Sequence, residues 1–248
     1  MKHHGKTRLA RVLIGTFALL VAGAQVSAAE STTPGTPAPV PVVMLKLPDE
    51  KMVPVTIPVD LLNGRNLDGW TYFAAGQPAN LADVCQVKDG VIAITGVAGK
   101  ATGFLLLPEV RENYRLHVEW RWTGTVTAST NGGILLHVSP GALQQGLWPI
   151  SFQMQLKSTR AGDMISMASA ANAEANAGLT ANRQKDASEK PAGEWNTADI
   201  VVRGDTIETT LNGVLQNKVT KCTPASGRIG FQLEGHLFEL RAIRLTPL

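Results

Sequence analysis

The sequence predicts an all-β protein, folded as a sandwich of two antiparallel sheets. From about residue 60 onward, apolar residues alternate with polar ones at a period of two, which is typical of strands that bury one face. Turn-forming dipeptides, among them Gly204-Asp205 and Asn212-Gly213, separate these runs. Many short strands joined by tight turns favour a β-sandwich.

The first 28 residues predict a secretory signal peptide. A basic stretch that includes Lys2 and Arg11 precedes an apolar run over about residues 12–24, and small residues follow up to Ala28. Because this order is typical of exported proteins, we expect cleavage after Ala28. The apolar run is too short for a lasting membrane anchor, so we expect a periplasmic or extracellular protein without membrane insertion.

Residues 29–58 are rich in Pro and Thr and predict an extended linker. Pro48, Pro54 and Pro58 lack a backbone N–H group, which excludes a central strand there. The remainder, residues 59–248, has the length of one large β domain. The net charge of +3 includes four basic residues of the signal peptide, so the domain is nearly neutral and gives no indication of nucleic-acid binding.

The strands of the domain are predicted in order from their alternation. In residues 114–123, the apolar face comprises Leu116, Val118, Trp120 and Trp122. In residues 151–157, Phe152, Met154 and Leu156 share one face, and Gln153, Gln155 and Lys157 share the other. Residues 198–219 predict three strands and residues 227–248 the last two. The alanine-rich segment 168–184 has no apolar stripe, so we expect a long connection with at most one helical turn.

The sequence contains two cysteines, Cys85 and Cys222, and does not decide whether they form a disulfide. In an oxidising compartment they could form a disulfide, but their spacing in the sequence does not show whether they are close. The few histidines and this single thiol pair do not form a zinc-binding pattern.

Five fragments, taken in order, resemble the 3-keto-disaccharide hydrolase domain family. They are LLNGRNLDGW (61–70), NGGILLHV (131–138), LWPISFQMQLKSTRAGDM (147–164), EKPAGEWNTADIVVRGDTIETTLNGVLQNK (189–218) and GRIGFQLEGHLFELRAIRLTPL (227–248). The resemblance covers about residues 60–248. It implies a concanavalin-like jelly roll that is secreted and that acts on glycosides whose sugar carries a ketone at C3, so the expected partner is a small carbohydrate.

That substrate class has a plausible chemistry. A C3 ketone acidifies the hydrogen on C2, so a modest base can remove it, and the enolate can then expel the substituent at C1. Water adds back to give net hydrolysis. Such a site needs a general base, an oxyanion stabiliser and hydrogen bonds for sugar hydroxyls. A divalent cation could polarise the ketone, but no ligand set in the sequence establishes one.

The resemblance gives His137, Asp163 and Glu234 as the candidate catalytic residues. As an expectation, His137 or Asp163 takes the C2 proton and Glu234 assists the leaving oxygen. The alternatives are that His137 ends a strand and bonds a backbone carbonyl, and that the two acids are ordinary turn residues. The sequence is compatible with both.

Six further residues are candidates for substrate binding. Gln153, Gln155 and Lys157 would hold hydroxyls, Trp148 could stack on a sugar ring, and Glu194 and His236 could face the site. Packing is the alternative for Trp148, and a solvated surface for the others. We expect Trp195 in the core.

One departure from the family favours a different class of function. Gln153 stands where the family usually has Glu, so a carboxylate is replaced by a neutral amide. The alternative is therefore a non-catalytic carbohydrate-binding module. Hydrolysis by the usual pair of carboxylates is a third option, and it is weaker because no two acidic residues fall together on one predicted strand face.

Overall fold

The computed structural model describes residues 41–49, 51–95, 101–173, 180–186 and 188–248. The predicted signal peptide, its cleavage site after Ala28 and the first part of the predicted linker lie outside the described residues. In the described ranges, no helix has the length and apolar character needed to cross a membrane.

Within these residues the first sheet has nine strands, and each strand pairs antiparallel with its neighbours. Its order is β12-β11-β10-β9-β16-β7-β3-β4, with β1 paired to β9. The bounds are β1 Met44–Leu45, β3 Thr71–Ala74, β4 Gln77–Ala79, β7 Thr102–Leu106, β9 Gly132–Gln144, β10 Trp148–Gln155, β11 Met164–Met167, β12 Thr180–Ala181 and β16 Arg228–Glu234.

The second sheet has eight strands in the described residues, again antiparallel. Its order is β15-β14-β13-β8-β17-β6-β5, with β2 paired to β17. The bounds are β2 Val59–Asp60, β5 Cys85–Lys88, β6 Val91–Ile94, β8 Asn113–Trp122, β13 Asn196–Arg203, β14 Thr206–Leu211, β15 Val214–Val219 and β17 Phe238–Thr246. A 3-10 helix at Leu81–Asp83 precedes β5.

The fold is an all-β sandwich of the jelly-roll type, which confirms the predicted class. The alternation in β8 gives a buried inner face, with Trp120 at 0% and Trp122 at 2% exposure. Along β10, Phe152 and Met154 enter the core between the sheets, as their spacing predicts. The last five predicted strands are present as β13 to β17, and the first three of them are separated by two-residue turns at the expected dipeptides.

A second apolar cluster covers the outer face of the nine-stranded sheet. Its residues alternate along the strands with residues of the main core, so they point away from the other sheet. The buried members of this outer cluster are Leu45, Phe73, Phe104, Leu106, Leu135, Val138, Leu143, Trp148 and Met167. The β9–β10 hairpin and residues 43–47 therefore lie over part of that face.

Part of the segment expected to be a linker is packed on the domain. Met44 and Leu45 pair with β9, and Leu45 is 2% exposed. The buried Arg228 guanidinium donates to the carbonyl of Pro48 at 2.6 Å and to that of Pro108 at 2.8 Å. The prolines limit β1 to two residues, but they do not prevent this edge pairing.

Two further expectations have an outcome here. Trp195 is not a core residue: it is half-buried, and the guanidinium groups of Arg121 and Arg241 lie over its ring, 4.5 and 3.9 Å from the ring centroid. The prediction that it packs in the core was wrong because a strand-end tryptophan can also be covered by cations. The described part of segment 168–184 contains no helix, and residues 174–179 lie outside the description.

Cys85 and Cys222 are both buried, and they are not joined by a disulfide. Cys85 begins β5 at one edge of the eight-stranded sheet. Cys222 follows β15, which forms the other edge. With about 4.8 Å between neighbouring strands, this separation far exceeds the reach of a disulfide.

Candidate functional site

Three glutamines and one glutamate form a hydrogen-bonded row on the outer face of the nine-stranded sheet. Gln153 Nε2 donates to Gln155 Oε1 at 2.8 Å and to Gln232 Oε1 at 2.6 Å. Gln232 Nε2 in turn donates to Glu234 Oε1 at 2.7 Å. We call these four residues the polar ladder. The three amides are nearly inaccessible, whereas Glu234 is half-buried, so the ladder presents its carboxylate end to solvent.

A missing side chain allows the polar ladder to form. Gln153 and Gln155 lie on β10 and Gln232 lies on β16, with β9 between them. Gly133 is the β9 residue at this crossing, and a Cβ atom there would lie 2.5 Å from Gln153 Nε2. The Asn-Gly-Gly stretch is therefore more than a turn, since Gly133 leaves the space in which the amides of two non-adjacent strands meet.

The topology brings most of the predicted site residues to one end of the sandwich. β10 and β16 both finish at this end, next to the start of β9. The turn before β13 also lies there, since Gly193 N donates to the carbonyl of Trp122 at the end of β8. This rim carries Gln155, Lys157, Asp163, Glu194, Glu234 and His236. The expectation that Gln153 and Gln155 share a face is confirmed by their hydrogen bond.

Asp163 is near the polar ladder, but its carboxylate is buried and paired with a guanidinium. Its backbone carbonyl accepts from Gln155 N at 2.9 Å, which places it beside the ladder. Its carboxylate accepts from Arg160 Nε at 2.6 Å and from the backbone N–H of Arg183 at 2.8 Å, and its side chain is 4% exposed. Such a carboxylate holds the rim loops together and is poorly placed to accept a proton from a ligand.

Glu234, His236 and Lys157 are the accessible polar groups near the ladder. Glu234 and His236 are half-buried around Gly235 in the turn between β16 and β17. Lys157 is half-buried and continues the alternation that begins with Gln153 and Gln155. Glu194 is exposed on the turn before β13, so it lies at the same end of the sandwich without contacting the ladder.

His137 lies far from these groups. Leu233 pairs with Gly132, and His137 is five residues further along β9, roughly 17 Å at about 3.4 Å per residue. Its side chain is 0% exposed, and its ring packs edge-on against Phe152 at 6.0 Å. The structure therefore does not bring His137, Asp163 and Glu234 together.

The environment of His137 favours a neutral imidazole. Nδ1 donates to the carbonyl of Pro224 at 2.9 Å, and Nε2 has no hydrogen-bond partner in the described part of the chain. Burial lowers the pKa of His137 to about 4, against the smaller opposing effect of the Pro224 carbonyl. Trp148 is also remote from the ladder, since it is buried in the outer cluster at the start of β10.

Two residues that belong to this region were not identified from the sequence. Gln232 alternates with Phe231 and Leu233, so its outward direction was visible, but its position beside Gln153 depends on the order of the strands. Glu189 lies in a loop without any periodic signal. Burial raises the pKa of Glu189, and hydrogen bonds from Thr159 N and Trp122 Nε1 act in the opposite direction.

For a metal, the described residues offer no group of three or more His, Cys, Asp or Glu side chains close enough to hold an ion. The oxygen atoms of the polar ladder belong mainly to amides that already bond each other. What the site offers directly is a row of hydrogen-bonding groups next to one accessible carboxylate.

Comparison with known proteins gives a family and a fold. The model of the 3-keto-alpha-glucoside-1,2-lyase-like domain matches residues 58–246. No match was found among curated proteins.

Solved structures with the same fold include a candidate glycosyl hydrolase from Parabacteroides distasonis, at 19% identity and a TM-score of 0.56, which covers 77% of this chain and 94% of that one. The LamAcat structure from Zobellia galactanivorans is similar at 11% identity and a TM-score of 0.54, and covers 77% of this chain and 97% of that one. At these identities the likeness concerns the fold.

Proposed function

Since this chain belongs to the family of 3-keto-alpha-glucoside-1,2-lyase-like domains, we propose that it cleaves the glycosidic bond of small 3-keto-glycosides at the polar ladder. The observation that carries this proposal is the row of three buried amides that ends on the accessible carboxylate of Glu234. The accessible carboxylate of Glu234 can accept hydrogen bonds from the hydroxyl groups of a sugar, and it is held in place by the amides behind it. Their mutual bonds fix their orientation before a ligand arrives.

In the mechanism that this geometry favours, Glu234 is the base. Its carboxylate takes the proton from C2 of the 3-keto sugar, and the electron pair of that bond forms the enolate of the C3 ketone. The backbone N–H of Lys157 donates to Gln155 Oε1 at 3.3 Å, and its half-buried ammonium would stabilise the developing oxyanion. The enolate then expels the oxygen at C1, and addition of water to the unsaturated sugar completes hydrolysis.

The other two candidate bases are less suitable in this arrangement. His137 is buried in the middle of β9, and its unbonded Nε2 is inaccessible to a ligand. Asp163 is held by Arg160 and by the N–H of Arg183. We therefore assign Asp163 to the support of the rim and His137 to the core.

Gln153 is the centre of the ladder, so the presence of Gln where the family usually has Glu affects how the ladder is bonded. Its NH₂ group donates to two acceptors, which a carboxylate at this position could not do. The neutral amide also avoids a second negative charge near Glu234. In this proposal Gln153 orients the other members of the ladder, and the proton transfer is left to Glu234.

The test is turnover of a 3-keto-glucoside in D₂O by the wild-type protein and by Glu234→Gln. If Glu234 is the base, the wild type forms free 3-keto-glucose with deuterium at C2, and the variant loses about 10²–10⁴-fold in rate, the usual contribution of a general base. NMR follows the label and the product. Cleavage without deuterium at C2, or an unaffected variant, would contradict the mechanism.

The second candidate function is a non-catalytic carbohydrate-binding module. The amide at Gln153, where relatives usually have Glu, is the observation that favours it. Calorimetry with the same 3-keto-glucoside separates the two functions. Binding without turnover, together with turnover gained in Gln153→Glu, would indicate a domain that has lost its catalytic carboxylate.

A further inference from the structure

A cavity of about 310 Å³ lies at the rim, apart from the polar ladder. Its lining residues come from two loops: Thr159 and Ala161 follow β10, and Arg183, Ser188 and Glu189 follow β12. Small-molecule sites typically span about 300–1,000 Å³, so this cavity has room for about one sugar ring. Its lining combines a guanidinium, a carboxyl and two hydroxyls with one methyl group.

The two loops that form the cavity are held in place by buried side chains. Gln216 is 0% exposed, and its Nε2 donates to Ser188 Oγ at 2.5 Å, while its Oε1 accepts from Lys185 N at 3.3 Å. Arg183 Nη1 donates to the carbonyl of Thr159 at 2.5 Å and so joins the loops. The cavity is therefore organised before any ligand binds.

Glu189 is positioned within this cavity by two donors. Trp122 Nε1 donates to Oε1 at 3.3 Å, and the backbone N–H of Thr159 donates to Oε2 at 3.0 Å. A carboxyl group has about four acceptor sites, so both oxygens keep capacity toward the cavity. Burial raises the pKa of this carboxyl, which is the direction that a general acid requires.

The cavity and the polar ladder share a wall. Asp163 joins them, because its carbonyl accepts from Gln155 N on the ladder side and its carboxylate accepts from Arg183 N on the cavity side. A ligand with two parts would have to extend past Asp163 to reach from one place to the other.

From this geometry we propose that the cavity receives the leaving group of the 3-keto-glycoside, and that the Glu189 carboxyl donates a proton to the departing oxygen. This inference rests on the proposed function and adds the second half of the reaction to it. Arg183, Ser188 and Thr159 would bind hydroxyls of the leaving sugar.

The proposed step balances in atoms and electrons. Glu234 takes the C2 proton, and the pair from that bond becomes the C1=C2 double bond as the C1–O bond breaks. The pair of the broken bond stays on the leaving oxygen, which takes the Glu189 proton and departs as an alcohol. When water adds to C1, Glu189 recovers a proton from it. C2 then takes a proton from Glu234, whose accessible carboxyl has exchanged its proton with solvent by that stage.

The experiment compares two 3-keto-glucosides that differ in their need for an acid. The methyl compound would release methoxide, a strong base, so its leaving oxygen has to be protonated by an acid. The nitrophenyl compound releases 4-nitrophenolate, a weak base that departs without protonation. We expect Glu189→Gln to lower kcat/KM for the methyl compound by at least about 100-fold and for the nitrophenyl compound by less than about fivefold. Turnover of the nitrophenyl compound also shows that the variant is folded.

The matched control is Glu208→Gln, which removes a carboxylate paired with Lys218 on an edge of the other sheet and should leave both rates unchanged. Equal losses on the two substrates in Glu189→Gln would show that Glu189 only supports the rim, and no loss on either would exclude a role. In both cases the proposed function stands. If the wild type cleaves neither compound, the proposed function fails and this inference fails with it.

Discussion

At the scale of single residues, His137 illustrates how burial opposes protonation. The unfolded chain binds a proton at His137 near pH 6.5, whereas the native state does so only near pH 4. Its contribution to stability is therefore complete above about pH 6.5 and is lost as the pH falls from there toward 4. At 1.36 kcal/mol for each pH unit between the two pKa values, the full loss is roughly 3 kcal/mol.

We therefore predict that His137→Gln flattens the dependence of stability on pH between 7 and 4.5. Urea denaturation at several pH values gives the free energy of unfolding for both proteins. The wild type should lose stability as the pH falls, and the variant should lose roughly 2–3 kcal/mol less over the same interval. Parallel curves for the two proteins would show that His137 is not the residue responsible.

The direction of the His137 side chain could not be predicted from the sequence. Alternation along β9 predicts that His137 points to the outer face, as Leu135 does. The strand instead contains a bulge, because three β9 residues face two on β10 and two on β16 at this point. His137 has a φ of 54° and turns toward Phe152 in the core. A bulge depends on both neighbouring strands, so the local pattern could not reveal it.

At the scale of elements, the polar ladder shows which part of the site the sequence could predict. The period of two fixed the shared face of Gln153 and Gln155. It could not place Gln232 beside them, because β16 lies next to β9 only through a pairing between distant parts of the chain. The loop that carries Glu189 has no periodic pattern of apolar residues, so its contact with Trp122 could not be predicted from the sequence.

The β9 strand provides a test of the ladder through Gly133. In Gly133→Ala the new Cβ atom would lie 2.5–2.7 Å from Nε2, Cγ and Cδ of Gln153. The whole side chain would therefore have to move, and we expect a disrupted ladder. Affinity for a 3-keto-glucoside, measured by calorimetry, should fall at least about tenfold, or 1.4 kcal/mol. The melting temperature should fall as well, because the displaced Gln153 side chain is buried.

The control for this prediction is Gln153→Ala, alone and together with Gly133→Ala. Once Gln153 is removed, the alanine at residue 133 has nothing to displace, so the double variant should bind no more weakly than Gln153→Ala. An additive loss in the double variant would show that Gly133 acts through the backbone of β9 and not through the ladder.

At the scale of the whole molecule, the outer face of the nine-stranded sheet is divided into two parts. One part carries the polar ladder, and the other is occupied by the outer cluster beneath residues 43–47 and the β9–β10 hairpin. The two parts meet directly, since Gln232 pairs with Phe104, a member of that cluster. A polysaccharide lying across the strands would have to displace this packed apolar surface, which is costly.

The division predicts a preference for short substrates. In the Glu234→Gln variant, which binds without turnover in the proposed mechanism, affinity should rise by about tenfold from one sugar ring to two, as the second ring enters the cavity at Glu189. It should then stay within about twofold for three and four rings, because the covered face offers them no contacts. Calorimetry on a series of glycosides with a 3-keto terminal sugar measures this dependence. A steady increase through four rings would mean that a longer cleft opens, with the hairpin or residues 43–47 displaced from the sheet.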